Sequence, residues 1–267
     1  KSYHPEDGAF KYTLGDFDGD GTTDVFVYFY KVDNGYIYSP NKGLLSYFHQ
    51  GFGGWDVEFL PVDMNGDGKT EVMSIHDGNT NIWNLQGNII VANSPSLVYP
   101  TIWHKIYPGD FNGDGKTDII TYSPGVGEWY AGYSNGKSFD IKRLNINNFG
   151  DPKDGYISEW DDMTLKITHT FEYFVGDFNG DGKDDFAEKI SNVTARSTEF
   201  KVHYSKGNSF VPSQNHVSSY FPVLGSTAIG DVTGDGKQDL MYADGSPDHI
   251  RPYYLITFHG NNPSDLL

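Results

Sequence analysis

Short apolar runs recur along the chain, and each follows directly on a polar segment rich in aspartate and glycine. The runs are four to six residues long and contain many β-branched and aromatic residues, which is typical of buried strands. They are Val25–Tyr30, Val72–Ile75, Ile119–Tyr122, Phe186–Ile190 and Leu240–Ala243. This pattern predicts an all-β protein in which a strand begins at the end of each polar segment.

A second pattern indicates hairpins between further strands. The stretches Glu128–Phe139 and Phe200–Phe210 match each other around a short turn, and Trp83–Ile89 is a weaker echo of both. The turn pairs Asn135-Gly136 and Lys206-Gly207 suit the positive φ angles of a tight hairpin. Each repeat is therefore expected to contain several antiparallel strands.

The polar segments themselves align without gaps in five copies. Their first aspartates are 47, 47, 67 and 54 residues apart, and they are Asp16, Asp63, Asp110, Asp177 and Asp231. A period of this length with strand patterning is typical of propeller blades, each a four-stranded sheet. We predict a single β-propeller domain over 1–267, with blades at 1–48, 49–95, 96–160, 161–215 and 216–267. The alternative is six blades, with one that lacks the polar segment hidden in the longest interval.

The longest interval carries an insertion near 145–170. Its first part is loop-like, whereas Leu165 and Ile167 alternate with polar residues and predict an added strand. Trp160, next to two aspartates, is a candidate for contact with a ligand at the surface. The last repeat is short, so its outer strand is expected to be missing or to come from Lys1–Phe10.

The repeated segment has the residue types of a cation-binding loop. Counted from its first aspartate, positions 1, 3, 5 and 9 carry side-chain oxygens in every copy, and positions 4 and 6 are glycine, which permits a sharply curved backbone. Position 7 varies, as expected if its backbone carbonyl is the ligand. The candidate ligands at positions 1, 3, 5, 7 and 9 are Asp16, Asp18, Asp20, Thr22 and Asp24; Asp63, Asn65, Asp67, Lys69 and Glu71; Asp110, Asn112, Asp114, Lys116 and Asp118; Asp177, Asn179, Asp181, Lys183 and Asp185; and Asp231, Thr233, Asp235, Lys237 and Asp239.

Calcium is the ion that fits this donor set best. It takes six to eight oxygen ligands in flexible loops, whereas magnesium needs stricter octahedral geometry and zinc prefers histidine or cysteine. An EF-hand is disfavoured because its position 12 is glutamate, and here only Glu188 among the five copies meets that requirement. We therefore expect up to five calcium ions, each in a loop that leads into a strand.

Composition narrows the choice of partners. The formal net charge is −17, from 36 acidic and 19 basic residues, which argues against nucleic acid and against an anionic membrane surface. The chain has no cysteine, which excludes thiol catalysis and cysteine-bound zinc, and it has no apolar run long enough to insert into a membrane. Sixteen of the acids are at candidate ligand positions, so five calcium ions would neutralise much of the excess charge.

The loop sequence Asp110-Phe-Asn-Gly-Asp-Gly-Lys-Thr-Asp118 and its four copies resemble the FG-GAP/VCBS repeats of integrin α-subunit propellers. The resemblance implies a β-propeller with calcium at the blade periphery, an extracellular or cell-surface location and a role in binding. The C-terminal stretch Tyr253–Leu267 resembles the end of the propeller in bacterial Rhs, SpvB and insecticidal toxin-complex B proteins. In that family the propeller docks onto another toxin component or gates a shell.

The loop pattern favours a calcium-stabilised interaction module, and the two resemblances imply that it belongs to a longer secreted or cell-surface protein of toxin or adhesin type. Its partner would be another protein or a neighbouring domain of the same polypeptide. The alternative is a lectin that binds glycans, and a polysaccharide-active enzyme is a distant third. We expect no enzyme, because the chain has no nucleophile elbow, no phosphate loop and no metalloprotease spacing among its histidines.

Overall fold

Five antiparallel β-sheets follow one another in the described part of the chain, as a computed structural model shows. That part comprises 10–49, 51–77, 79–93, 105–123, 126–144, 156–161, 164–195, 197–212, 216–218, 225–244, 253–259 and 262–266. Side chains are described over a smaller range, which leaves out those of 156–166 and of residues beyond 241. Within the described residues, no helical segment has the length and apolar character needed to span a bilayer.

Sheets 1, 2 and 3 each have four strands in consecutive order. Sheet 1 contains β1 (Lys11–Gly15), β2 (Asp24–Phe29), β3 (Asn34–Ser39) and β4 (Gly43–His49). Sheet 2 contains β5 (Glu58–Val62), β6 (Glu71–His76), β7 (Asn79–Gln86) and β8 (Ile89–Asn93). Sheet 3 contains β9 (Ile106–Gly109), β10 (Asp118–Ser123), β11 (Glu128–Ser134) and β12 (Phe139–Arg143). The predicted all-β class with four-stranded sheets is thus confirmed.

Sheet 4 is larger and sheet 5 returns to four strands. Sheet 4 contains β13 (Tyr156–Asp161), β14 (Thr164–Gly176), β15 (Asp185–Asn192), β16 (Ser197–Ser205) and β17 (Phe210–Pro212), and β18 (His216–Ser218) pairs with β16. Sheet 5 contains β19 (Gly225–Gly230), β20 (Asp239–Asp244), β21 (Tyr253–His259) and β22 (Asn262–Leu266). The strand expected at Leu165 and Ile167 is the first half of β14, which pairs with β13. The expectation for the last repeat was wrong, because sheet 5 takes its outer strand from β22.

Each acidic loop joins two neighbouring strands of one sheet. In sheet 1 the loop is closed by the pairing of Gly15 with Asp24, so position 9 is the first residue of the following strand. The same pairing occurs in sheets 2, 4 and 5, between Val62 and Glu71, Gly176 and Asp185, and Gly230 and Asp239. The apolar run that follows position 9 therefore enters the sheet directly.

The chain divides into two compact units. Unit 1 comprises 1–103, 115–118 and 132–141, and unit 2 comprises 104–114, 119–131 and 142–267. Each is described by itself.

In unit 1, the core lies between sheets 1 and 2. Phe26 and Tyr28 of β2 are fully buried, and their rings lie 4.9 and 5.6 Å from the ring of Phe59 in β5. Val72 and Trp83 of sheet 2 belong to the same apolar cluster. Alternation along β2 places Phe26 on one face of sheet 1 and its neighbours Val25 and Val27 on the other, so this core uses one face only.

In unit 2, two further sheet pairs pack in the same way. The rings of Tyr107 and Trp129 in sheet 3 lie 5.2 to 5.6 Å from those of Tyr173 and Phe186 in sheet 4. The opposite face of sheet 4 carries Ala187, Phe200 and Val202, which form a buried cluster with Leu240 of sheet 5.

Consecutive loops are also joined directly, through position 8. In unit 1, the backbone nitrogen of Thr117 donates to the carbonyl of Asp63 (2.7 Å), and the Thr117 hydroxyl accepts from the nitrogen of Asp63 (2.8 Å). Thr70 makes the same pair of bonds with Asp16. In unit 2, Asp184 does so with Asp110 through its carboxylate, and Gln238 donates its backbone nitrogen to Asp177. Position 8 of each loop therefore fixes position 1 of the loop before it.

Replacing Thr117 with valine tests this loop-to-loop contact. Valine keeps the shape but loses the acceptor for the nitrogen of Asp63, and an unpaired, partly buried N–H costs about 1–2 kcal/mol. We expect Thr117→Val to lower the free energy of unfolding by that amount in urea denaturation. The control is Thr23→Val, at the exposed position 8 of the first loop, which should change it by less than about 0.5 kcal/mol. Equal losses in the two variants would contradict the assignment.

Candidate metal centres

The aspartate at position 1 organises each loop by accepting backbone hydrogen bonds. In loop 1, Asp16 Oδ1 accepts from the nitrogens of Gly19 (2.7 Å) and Asp20 (3.0 Å), and Oδ2 accepts from Gly21 (2.7 Å). Loops 2, 4 and 5 repeat all three bonds, at Asp63, Asp177 and Asp231. In loop 3, Asp110 accepts from Gly113 and Asp114. The loop is thus wrapped around this carboxylate.

The glycines at positions 4 and 6 adopt the left-handed backbone expected from the sequence. Their φ angles run from 74° at Gly66 to 84° at Gly236. Position 4 has a second reason to be glycine, because the lysine at position 7 of the next loop lies against it. A Cβ on Gly66 would stand 3.1 Å from Cγ of Lys116, and one on Gly180 would stand 3.2 Å from Cγ of Lys237. The stem of the position-7 lysine therefore packs on the preceding loop, whereas the ammonium groups of Lys183 and Lys237 lie 3.6 Å from Asp181 Oδ1 and 3.8 Å from Asp235 Oδ2, at position 5 of their own loops.

Side-chain oxygens at positions 3 and 5 also hold the loop, because each accepts a hydrogen bond from the backbone two residues further on. Oδ1 of Asn65 accepts from the nitrogen of Asp67 (2.8 Å), and Oδ1 of Asp67 accepts from that of Lys69 (2.9 Å). Loop 1 shows both bonds at Asp18 and Asp20. The amide of Asn65 in turn donates to carboxylate oxygens of Asp67 (3.2 Å) and Glu71 (3.1 Å).

The acid at position 9 is the most buried of the set. Asp24, Asp118, Asp185 and Asp239 are fully buried, and Glu71 is 3% exposed. In loops 1, 2, 4 and 5, one oxygen accepts from the backbone nitrogen of position 2, at 2.8 to 3.1 Å. The other oxygen of Asp24 and that of Asp239 have no hydrogen-bond partner among the described residues. A buried carboxylate oxygen without a donor is costly unless a cation compensates it.

Burial changes the protonation of these acids. It raises the pKa of Glu71 to about 7, against an ordinary value of 4.5, and the nearby charges of Asp63 and Asp67 add to the effect. Burial likewise raises the pKa of Asp185 to about 7, and that of Asp24 is raised for the same reason. A divalent ion would remove this penalty, because it favours the ionised carboxylate.

Loop 1 contains a full acidic cluster and a cation from the protein itself. Carboxylate oxygens of Asp16, Asp18 and Asp24 lie within 4.8 Å of one another. The ammonium of Lys42, in the β3–β4 turn, lies 2.9 Å from Asp18 Oδ2 and 3.0 Å from Asp20 Oδ2. Its hydrogen bond lowers the pKa of Asp20. The cluster therefore binds positive charge readily.

Two parts of the expected sites stay predictions: coordination by position 7 and a role for Trp160. Coordination by the carbonyls at position 7, namely those of Thr22, Lys69, Lys116, Lys183 and Lys237, stays a prediction, as does ion binding in each loop. Trp160 lies in β13, but its side chain is outside the described set.

Sequence reasoning missed three features of this region. The contacts of position 8 were not foreseen, because its residue type varies between threonine, aspartate and glutamine. Lys42 was missed because it reaches loop 1 from a different turn. An exposed cluster outside the loops, in which His76 Nε2 lies 3.2 Å from Asp56 Oδ1 and Asp77 is adjacent, was also missed.

Comparison with known protein families gives a match to the segment that contains the second and third loops. A family described as an FG-GAP-like repeat matches the segment 63–121, which runs from the first ligand position of loop 2 to just past the end of loop 3. The resemblance noted from the loop motifs is thereby confirmed. Loops 1, 4 and 5, outside the matched segment, carry the same hydrogen-bonded framework as loop 2.

Solved structures show where the same fold occurs. A lectin from Agrocybe aegerita that recognises non-reducing terminal N-acetylglucosamine superimposes on 95% of this chain, with 17% identity and a TM-score of 0.63. The Tc holotoxin pore of Photorhabdus luminescens also covers 95%, with 14% identity and a TM-score of 0.52. The chain spans 64% and 11% of those two chains, respectively. None of the curated protein sequences is similar to this chain at a significant level. At these identities the similarity is one of fold.

Glu71→Gln should change stability in opposite directions with and without calcium. In chelator, a folded-state pKa above the unfolded one means that stability falls as pH rises from 4.5 to about 7. Glutamine does not ionise, so above pH 7 the variant should be more stable than the wild type by on the order of 3 kcal/mol, and the difference should vanish below pH 4.5. In calcium the variant should be the less stable protein, because it lacks a ligand. Urea denaturation at a series of pH values measures both.

A difference that does not depend on pH in chelator would contradict the raised pKa of Glu71. The control is Glu58→Gln in β5, since Glu58 is an exposed acid of the same sheet outside the loop. Its effect should be small in both conditions.

Proposed function

We propose that the chain is a calcium-stabilised, non-catalytic interaction module, a propeller whose FG-GAP-like blades each carry an ion-binding loop. It would act in a secreted or cell-surface protein by docking onto another protein or a neighbouring domain. The observation that carries the proposal is the buried carboxylate at position 9, which recurs in all five loops and keeps an unpartnered oxygen in Asp24 and Asp239.

The donor chemistry of the loops supports calcium over other cations. Positions 1, 3, 5 and 9 offer carboxylate, amide and hydroxyl oxygens, and the predicted carbonyl of position 7 would add one more. Some of these carboxylate oxygens already accept a hydrogen bond, and others have no partner. Such a mixed set suits calcium, because calcium takes six to eight oxygen ligands in variable geometry. When bound, the ion would supply positive charge that offsets the repulsion between acids of one loop. The protein's own residues hold the loop in shape, through the nitrogens that cap position 1.

The docking role is supported by the fold and by the absence of sequence signals for catalysis. Two solved structures of similar fold are a lectin that recognises terminal N-acetylglucosamine and a Tc holotoxin pore. A lectin role for this chain remains the alternative, and Trp160 is the residue that it would use.

Removing calcium should lower the melting temperature. An ion that binds only the folded protein stabilises it by about 4 kcal/mol at a thousand times its dissociation constant, which corresponds to roughly 10 °C for a domain of this size. We expect a shift of that order between chelator and millimolar calcium in differential scanning calorimetry. Asp239→Asn should reduce the shift, and elemental analysis should find one ion fewer.

The matched control is Asp140→Asn, since Asp140 is an exposed acid in β12 outside the loops, and its variant should keep the full calcium response. A melting temperature that calcium does not change, together with no bound metal, would refute the calcium part of the proposal.

Binding to a glycan array distinguishes a docking role from a lectin role. On a glycan array in calcium, we expect no sugar to be bound specifically, because the proposed partner is a protein. Specific, calcium-dependent binding to a glycan would contradict docking and support the lectin if Trp160→Ala abolished it. The control is Trp55→Ala, at an exposed tryptophan of unit 1, which should leave such binding unchanged.

A further inference from the structure

Loop 1 offers more carboxylates than any other loop of the series. Its positions 1, 3, 5 and 9 are all aspartate, whereas position 3 is asparagine in loops 2, 3 and 4 and threonine in loop 5. The affinity of a calcium loop depends on the number of charged ligands that it supplies. By that rule alone, loop 1 is expected to bind calcium most tightly. The structure places a further charge in this loop that acts against the rule.

The further charge is the ammonium of Lys42, in the turn between β3 and β4. Lys42 Nζ bridges positions 3 and 5, because it lies 2.9 Å from Asp18 Oδ2 and 3.0 Å from Asp20 Oδ2. The other oxygen of each aspartate accepts a hydrogen bond from the backbone of the loop, Asp18 Oδ1 from Asp20 (3.2 Å) and Asp20 Oδ1 from Thr22 (2.9 Å). Lys42 therefore contacts the two carboxylate oxygens that these backbone bonds do not use.

The turn that carries Lys42 is attached to loop 1 at a second point. Asn41 Nδ2 donates to Thr22 Oγ1 (2.7 Å), and Thr22 is position 7 of the loop. The turn and the loop meet because the first and third connections of an antiparallel sheet lie at the same end of it. Position 7 is lysine in the other four loops, so loop 1 is the only copy with a hydroxyl there. The turn is therefore docked on the loop by two side chains.

We propose that Lys42 is an internal competitor for calcium in loop 1, so that the ion binds there only by displacing the ammonium and releasing the β3–β4 turn. An ammonium and a divalent ion on the same two carboxylates would be a few ångströms apart, where like charges repel. Lys42 thus weakens the binding of calcium by four carboxylates that would otherwise bind it tightly. The proposal rests on the proposed function in taking loop 1 to be a calcium site.

Displacement of Lys42 links the calcium concentration to the surface of the protein. Below the concentration at which loop 1 fills, Asn41 and Lys42 are held on the loop. Above it, both side chains are released to solvent. The side chain of Lys42 is already 50% exposed, so its release does not require the core of sheet 1 to open. The loop end of sheet 1 is therefore the part of the proposed docking module whose surface calcium changes.

Calcium titration of the whole chain, followed by nitrogen–proton correlation NMR, tests the competition because it observes each loop separately. The backbone amides of Gly19 and Gly21 report on loop 1, and those of Gly66 and Gly68 report on loop 2. Lys42→Met keeps an unbranched side chain and removes the charge. We expect it to lower the calcium concentration at the midpoint of loop 1 by about tenfold or more, because the repulsion is lost. The midpoint of loop 2 in the same spectra should not change.

Two control variants separate the charge of Lys42 from its position. Lys42→Arg keeps a positive charge in the turn, so the midpoint of loop 1 should stay at the wild-type value or rise. Lys31→Met removes the same charge from the exposed turn between β2 and β3, at the opposite end of sheet 1. The six residues of β2 place that turn about 20 Å from the loop, beyond the screening length of about 10 Å. Its midpoint should therefore equal that of the wild type.

Release of the turn is measured in the same wild-type samples. The backbone heteronuclear NOE of Asn41 and Lys42 should fall once loop 1 has bound calcium, because it reports motion on the picosecond to nanosecond timescale. A Lys42→Met variant whose loop 1 midpoint is unchanged or higher would overturn the proposal, as would a turn that keeps its NOE in saturating calcium. If loop 2 responds to calcium in that case, the proposed function still stands. If neither loop responds, the calcium part of the proposed function fails and the proposal for Lys42 fails with it.

Discussion

A carboxylate buried at the point where a loop enters a strand constrains most of this structure. Position 9 is the last residue of the acidic loop and the first of the next strand, so it cannot move to solvent without breaking the sheet pairing next to it. One of its oxygens is occupied by a backbone nitrogen of the same loop. The loop is therefore fixed at both ends, by position 1 through its capped carboxylate and by position 9 through burial. The positions between them are therefore restrained from both sides.

The same loops also connect each repeat to the next through direct contacts. The hydrogen bonds of position 8, two at Thr70, Thr117 and Asp184 and one at Gln238, attach each loop to its predecessor together with the lysine stem of position 7. These contacts lie at the loop end of the sheets, whereas the aromatic contacts, such as those of Phe59, lie between their faces. Neighbouring sheets within a unit are therefore held at two separate places. This makes their relative orientation well defined even though no disulfide is present.

Much of this arrangement could be predicted from the sequence because its causes are local. The apolar runs after each loop predicted β2, β6, β10, β15 and β20, and glycine at positions 4 and 6 predicted the positive φ angles. The hairpin glycines Gly136 and Gly207 behave as expected too, with φ of 86° and 85°. Contacts across a whole repeat were not predictable, since nothing in a single loop shows that Thr117 pairs with Asp63. The outer strand β22 was missed because its residues, Asn262–Leu266, include a proline and few β-branched side chains.

The contacts of position 8 have a direction, and this has a consequence for the order in which the loops form. Each loop holds the one before it, and among the described residues these backbone bonds run from Thr70, Thr117, Asp184 and Gln238 to the preceding loop. The contacts between the described loops therefore all run in one direction. Each of these loops is therefore stabilised by the repeat that follows it in the sequence and is synthesised after it. During synthesis, loop 1 can thus complete its contacts only once loop 2 has emerged.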